Sequence, residues 1–112
     1  MIDLPLDHIA VVSRNMDADL VFYSRLGFTV ETRYDDWAML RDGAGRGVAL
    51  LLPGGKHPPH IALKAPSREV LETLAREHNG RVNGHRDGSV SAYVTDASGN
   101  ALEIVFYPDE DK

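Results

Sequence analysis

The stretch Ser91-Ala-Tyr-Val-Thr-Asp-Ala-Ser-Gly-Asn-Ala-Leu-Glu-Ile-Val-Phe-Tyr107 contains the most informative pattern in the chain. It predicts two β-strands joined by a tight turn from Asp96 to Asn100, because Asp, Ser, Gly and Asn supply turn hydrogen bonds and left-handed backbone. The second strand is apolar except for one carboxylate, Glu103. An ionised Glu in a sheet core is costly unless a cation or a hydrogen-bond donor meets it. We therefore expect a cation or a donor opposite Glu103.

The bulk composition excludes several classes of protein. The length of 112 residues suits one domain, and 43% hydrophobic with 26% charged residues is typical of a soluble globular protein. The net charge of −5 and the lack of a Lys/Arg cluster argue against a nucleic-acid partner. Without cysteine, the chain has no disulfides or thiolate metal ligands. No apolar run is long enough to span a membrane and no leader is visible, so we expect a cytoplasmic protein.

The chain before residue 53 predicts a strand, a helix and three further strands. Residues 4–12 alternate in a β pattern, and Ser13, Asn15 and Asp17 are candidate caps for a helix that ends at Gly27. Three β-like segments follow, at residues 28–34, 37–41 and 48–52.

The same order starts again after a turn-rich linker at residues 53–59. Residues 60–64 are strand-like, Ser67 can cap a second helix, and Asn79-Gly80 can end it. Residues 81–83, 90–95 and 101–107 then predict three more strands, the first of them weak. The pattern therefore predicts two tandem βαβββ modules, at about residues 4–53 and 59–108.

Individual residues repeat along with the pattern. His8-Ile-Ala recurs as His60-Ile-Ala, and the turn Asp42-Gly-Ala-Gly matches Asp96-Ala-Ser-Gly. Each copy ends in an apolar strand followed by proline. Several matches in the same order are hard to attribute to chance, so we interpret the chain as an internal duplication.

These residues resemble the vicinal oxygen chelate superfamily, also called the glyoxalase/bleomycin resistance/extradiol dioxygenase group. The resemblance covers about residues 4–108, and its motifs are Asp7-His-Ile-Ala10, Phe22-Tyr-x-x-Leu-Gly-Phe28, Pro59-His-Ile-Ala62 and Tyr93-x-x-Asp-x-x-Gly-Asn-x-x-Glu103. Ala97 stands where the family commonly has proline. The resemblance implies a single α+β domain in which the two βαβββ modules form a cupped mixed sheet around a divalent metal.

The resemblance also implies a set of metal ligands. His8 and His60 occupy equivalent positions on the first strand of each module, and Glu103 lies on the last strand. Two imidazoles and one carboxylate suit Fe(II) or Mn(II), and Zn(II) or Ni(II) is compatible with the same set. The alternative is that each His is an ordinary strand histidine bonded to backbone.

Other side chains are candidates for substrate contact. Tyr93 lies where relatives often have a tyrosine that reaches the substrate, so it is a candidate catalytic donor, although it also suits plain strand packing. Trp37, Met39 and Tyr107 are candidate substrate-binding walls, with core packing as the alternative. His85 lies in a predicted loop and is a candidate mobile acid/base, although we favour a solvated side chain there.

The resemblance leaves several functions open. The strand at residues 48–52 has no ligand side chain, whereas glyoxalase I enzymes generally take a further ligand there. We therefore favour a metal-dependent, dioxygenase-like or lyase/transferase-like enzyme acting on a small substrate that chelates the metal through vicinal oxygens. A glyoxalase I-like lyase, a metal-independent antibiotic-binding protein and a structural metal site are the alternatives. Relatives of this length usually pair, so we expect a homodimer.

Overall fold

A computed structural model describes residues 3–108 of the chain. Their elements follow in the order β1 (Leu6–Val12), α1 (Met16–Ser24), β2 (Thr29–Arg33), β3 (Trp37–Arg41), β4 (Gly47–Leu51), β5 (His60–Lys64), α2 (Arg68–Glu77), β6 (Val82–Gly84), β7 (Val90–Thr95) and β8 (Ala101–Phe106). The predicted α+β class and the two βαβββ modules are confirmed. None of the helices in this part of the chain has the length and apolar character needed to cross a membrane.

The described residues divide into two compact units. The first unit is His8–Pro59, and the second unit combines the residues up to Asp7 with those from His60 onward. The boundary therefore falls inside β1, between two adjacent residues of one strand.

The first unit contains four strands in the order β1, β4, β3, β2. The β1–β4 pair is parallel, and the other two pairs are antiparallel. One sheet face packs on α1 through a buried cluster of Met16, Ala38, Leu40 and Leu50. The other face carries a second cluster of Ala10, Met39, Ala49 and Leu51, with Trp37 packed against it. This separation follows from the alternation of side chains along each strand.

The second unit repeats this arrangement with β5, β8, β7 and β6. The β5–β8 pair is parallel, and β8–β7 and β7–β6 are antiparallel. Helix α2 has Ser67 as its N-cap, whose side chain accepts a hydrogen bond from the Val70 N–H. Its buried residues Leu71 and Ala75 pack on one sheet face in a cluster with Ala92, Val94, Ile104 and Phe106.

The two predicted Asp-to-Gly turns are built in the same way. In each, the glycine N–H donates to the carbonyl of the aspartate, over 3.0 Å for Gly45 to Asp42 and 3.1 Å for Gly99 to Asp96. Both glycines have positive φ, at 82° and 87°, which a side chain would disfavour. The Asp96 carboxylate accepts bonds from Asn100 and Ser98, and these bonds lower its pKa. The repeat therefore extends to the hydrogen bonds of its turns.

The contact between α2 and its sheet face predicts the effect of one core substitution. Leu71 has no exposed surface, so Leu71→Ala should lower the free energy of unfolding by about 2–5 kcal/mol, through lost burial and a residual cavity. Chemical denaturation followed by circular dichroism measures this. The control is Leu26→Ala, because Leu26 is 60% exposed; its effect should stay within about 0.5 kcal/mol. Equal effects of the two substitutions would contradict the packing described for α2.

Candidate metal centre

The sheet of the second unit has one face covered by α2 and one face that carries polar side chains. Strand register places Tyr93 and Ala62 beside Glu103, so these three residues share a face. His60 and Ser91 each lie two positions away along their strands and therefore point to the same side. This face is opposite the one on which Ile104 and Phe106 pack against α2. The alternation of β8 thus places Glu103 away from the apolar core of its own unit.

Glu103 is buried, yet its two carboxylate oxygens have polar neighbours. The residue is 5% exposed. Its Oε1 lies 3.3 Å from His60 Nε2, and its Oε2 lies 3.7 Å from His85 Nε2. The Tyr93 hydroxyl also donates a hydrogen bond to the carboxylate. The polar neighbours of Glu103 are therefore two imidazoles and a phenol, and the hydrogen bond from the phenol offsets part of the cost of burying a carboxylate.

Tyr93 contacts both His60 and Glu103. Its ring meets the His60 ring edge-on, with centroids 5.1 Å apart and an interplanar angle of 88°. Burial raises the pKa of Tyr93, and the nearby Glu103 charge and the hydrogen bond to Glu103 raise it further. Tyr93 is thus a protonated donor at neutral pH, and its phenol can hold the carboxylate in one orientation.

His85 belongs to this group, and the expectation of a solvated loop side chain is wrong. Its Nε2 lies 2.6 Å from the Ser91 hydroxyl and 3.7 Å from Glu103. The loop between β6 and β7 is a tight hairpin in which the His85 N–H donates to the Ser89 carbonyl over 2.8 Å. This register puts His85 on the same sheet face as Ser91. The Asp87-Gly88 pair, a strong hairpin signal, could have indicated the register from the sequence.

Three candidate residues lie in the first unit on the sheet face opposite α1. His8 is 4% exposed, and alternation along β1 places it on the side of Ala10. Met39 is 4% exposed and packs in the cluster that contains Ala10. Trp37 is half-buried against that cluster and stacks on Tyr34, with ring centroids 5.7 Å apart. Met39 is therefore a core residue of this face, and a substrate contact for Trp37 or Met39 stays a prediction.

Tyr107 lies just beyond the end of β8 in the second unit. Its hydroxyl donates a hydrogen bond to the Asp7 carboxylate over 2.6 Å. The Lys64 ammonium lies 5.8 Å from the centre of its ring. The hydroxyl and the ring of Tyr107 therefore each have a defined contact. Its role as a substrate wall also stays a prediction.

His8, His60 and Glu103 have the burial, spacing and donor types that a metal ion requires. Among residues 3–108, His8, His60 and Glu103 form a buried group in which each side chain offers one ligand atom, and these atoms lie within 4.8 Å of one another. Ligand distances near 2.0–2.2 Å would place neighbouring donors of a tetrahedral or octahedral ion about 3–3.6 Å apart, which is inside this 4.8 Å limit. Two imidazole nitrogens and one carboxylate oxygen also suit Fe(II), Mn(II) or Zn(II) chemically. The group fits a divalent metal.

Comparison with solved structures shows the same fold in proteins of different activity. A Mn(II)-bound glyoxalase from Novosphingobium aromaticivorans is 22% identical, with a TM-score of 0.73, over 91% of this chain and 37% of that chain. A methylmalonyl-CoA epimerase from Mycobacterium tuberculosis is 19% identical, with a TM-score of 0.70, over 96% of this chain and 91% of that chain. A variant of homoprotocatechuate 2,3-dioxygenase from B. fuscum is 19% identical, with a TM-score of 0.71, over 89% of this chain and 33% of that chain.

These matches differ in how much of the other protein they cover. The chain spans about a third of the glyoxalase and of the dioxygenase, but nine-tenths of the epimerase. No curated protein sequence gives a significant match. The family model described as the glyoxalase/bleomycin resistance protein/dioxygenase superfamily matches residues 5–104, which is most of the chain. The chain belongs to this superfamily.

Proposed function

We propose that the protein is a metal-dependent enzyme whose small substrate binds a divalent ion through two neighbouring oxygens. His8, His60 and Glu103 are the ligands, with Fe(II) or Mn(II) favoured and Zn(II) or Ni(II) compatible. The observation that carries the proposal is the buried group of two imidazoles and one carboxylate with ligand atoms within 4.8 Å. When bound, the ion supplies Lewis-acid polarisation of the substrate oxygens. Three protein ligands leave positions on the ion for the substrate.

Charge and burial support a cation at this position. Glu103 is 5% exposed and His60 is 8% exposed. A buried carboxylate costs several kcal/mol unless it is paired with positive charge, and hydrogen bonds to neutral groups offset only part of this. Glu103 and the imidazoles would hold a divalent ion that supplies this charge, with the imidazoles as neutral ligands.

The side chains around the three proposed ligands are of the kinds that orient metal ligands and contact a bound substrate. Tyr93 donates to Glu103 and packs on His60, so it holds two of the proposed ligands at once. Such outer partners orient ligands and raise their affinity for the metal. His85 has a side chain that is 23% exposed and lies beside Glu103, so its imidazole can meet a substrate oxygen at the edge of the site.

Strand register in the two units bears on the class of reaction. Glu103 lies beside Ala62 of β5, and the residue in the same position beside Ala10 of β1 is Ala49. Ala49 has no ligand atom, and no other residue of β4 carries a metal-binding side chain. A site of three ligands favours dioxygenase-like or lyase/transferase-like chemistry over a glyoxalase I-like reaction that uses a ligand at that position.

The second candidate is a metal-independent protein that binds a small molecule such as an antibiotic. The exposed apolar side chains on and just after α1 favour it, since Val21, Phe22 and Leu26 are each more than half exposed and offer apolar contact area. The buried ligand group weighs against it, because a pure binding function gives no reason to bury a carboxylate among imidazoles.

Metal binding by purified protein tests the proposal. The wild type should take up close to one equivalent of Mn(II) or Fe(II), measured by elemental analysis after anaerobic loading and desalting. His60→Ala and Glu103→Ala should each lose more than about 100-fold in affinity, because loss of a direct ligand exceeds the 10- to 100-fold cost typical of an outer partner.

The matched control for this experiment is His78→Ala. His78 follows α2 and is exposed, so its substitution should leave metal binding unchanged. Wild-type protein that retains no divalent metal under these conditions would contradict the proposal and favour the binding protein.

The hydrogen bond from Tyr93 generates a separate prediction. Tyr93→Phe keeps the ring against His60 but removes the donor to Glu103, so Mn(II) affinity should fall about 10- to 100-fold, the range for outer-shell partners. Competition with a chelator of known affinity measures the change. Tyr34→Phe is the control, because Tyr34 stacks on Trp37 in the first unit. Unchanged affinity in Tyr93→Phe would show that the phenol does not orient the ligand.

A further inference from the structure

Ser91 is a buried polar residue beside the proposed site. It lies on β7, is 1% exposed, and points to the face that carries Glu103 and Tyr93. A buried hydroxyl needs a hydrogen-bond partner, because leaving it without one carries a desolvation cost. Its Oγ lies 2.6 Å from His85 Nε2, which is a short and well-formed contact.

The backbone around His85 is fixed, but the backbone alone does not fix the imidazole. The His85 N–H donates to the Ser89 carbonyl, and the Gly88 N–H donates to the His85 carbonyl. These bonds set the position of the His85 Cα. Two side-chain torsions remain, and a partly exposed histidine can occupy several rotamers about them. The contact with Ser91 selects one of these orientations.

We propose that Ser91 is a positioning residue that holds the His85 imidazole over the metal centre. The orientation it selects places His85 Nε2 2.6 Å from the Ser91 hydroxyl and 3.7 Å from Glu103 Oε2. A substrate oxygen bound at the metal centre would then meet an imidazole that is already in place, so binding would not have to order it. This inference rests on the proposed function.

Ser89 provides a matched comparison in the same hairpin. It is also a buried serine, 5% exposed, but its hydroxyl donates to Asp87 within the loop over 2.6 Å. Its contact with His85 is through its backbone carbonyl, which an alanine retains. Ser89→Ala therefore removes a buried hydroxyl from the hairpin without removing the side-chain partner of His85.

Ligand binding to the Mn(II)-loaded protein tests the proposal, with oxalate as a probe that offers two neighbouring oxygens. Ser91→Ala should weaken oxalate binding about 3- to 10-fold, the range for loss of one hydrogen bond, and leave Mn(II) affinity within about 2-fold. Ser91→Thr keeps the hydroxyl and should restore most of the affinity. Ser89→Ala should match the wild type. Water-proton relaxation or electron paramagnetic resonance measures both affinities.

A double-mutant cycle separates positioning from a general structural effect. If Ser91 acts through His85, then Ser91→Ala should have no further effect on oxalate binding in a His85→Ala background. An equal effect with and without His85 would overturn the proposal. So would a loss of Mn(II) affinity in Ser91→Ala as large as the loss of oxalate affinity.

Nuclear magnetic resonance of the metal-free protein provides a readout that does not depend on the metal. The ¹⁵N resonance of His85 Nε2 should shift in Ser91→Ala, return toward the wild-type value in Ser91→Thr, and stay unchanged in Ser89→Ala. Unchanged His85 resonances in Ser91→Ala would overturn the positioning role. If the wild type binds no Mn(II), the proposed function fails, and these spectra still decide whether Ser91 orients His85.

Discussion

The buried carboxylate of Glu103 is the interaction on which the polar face of the second unit depends. It lies in an apolar strand, so its charge has to be met by groups from other elements. His60 comes from β5, Tyr93 from β7, and His85 from the hairpin before β7. Side chains from three parts of the chain thus converge on one buried carboxylate.

The two faces of each sheet have different roles. Successive side chains of a strand point to opposite faces, so the residues of one face are separated from those of the other. In the second unit, even-numbered residues of β7 and β8 such as Ala92 and Ile104 pack on α2 and provide stability. The residues between them, including Tyr93 and Glu103, point to the other side. A polar constellation can therefore be assembled there without opening the apolar core, and its residues can be changed with limited effect on the contact between helix and sheet.

The sequence predicted the features that depend on local pattern and failed on those that depend on strand register. The repeated His-Ile-Ala segments and the Asp-to-Gly turns were sufficient to predict the two βαβββ modules. A lone carboxylate in an apolar strand was sufficient to identify Glu103 as a candidate site residue. His85 was misjudged because its position follows from the register across a hairpin and from two side-chain torsions. The bond from Tyr107 to Asp7 joins residues 100 positions apart, which no local pattern encodes.

The two units differ at the strand position of Glu103, where the first unit has Ala49. Tyr93 pairs with Glu103 across β7 and β8, and the residues in the corresponding pair of β3 and β4 are Met39 and Ala49. Met39 and Ala49 are both buried in an apolar cluster, so a carboxylate at position 49 would face Met39 and would lack the donor that Tyr93 gives to Glu103. Burying a charge requires the donor as well as the acid. A carboxylate at position 49 would therefore gain an equivalent donor if position 39 also carried a tyrosine.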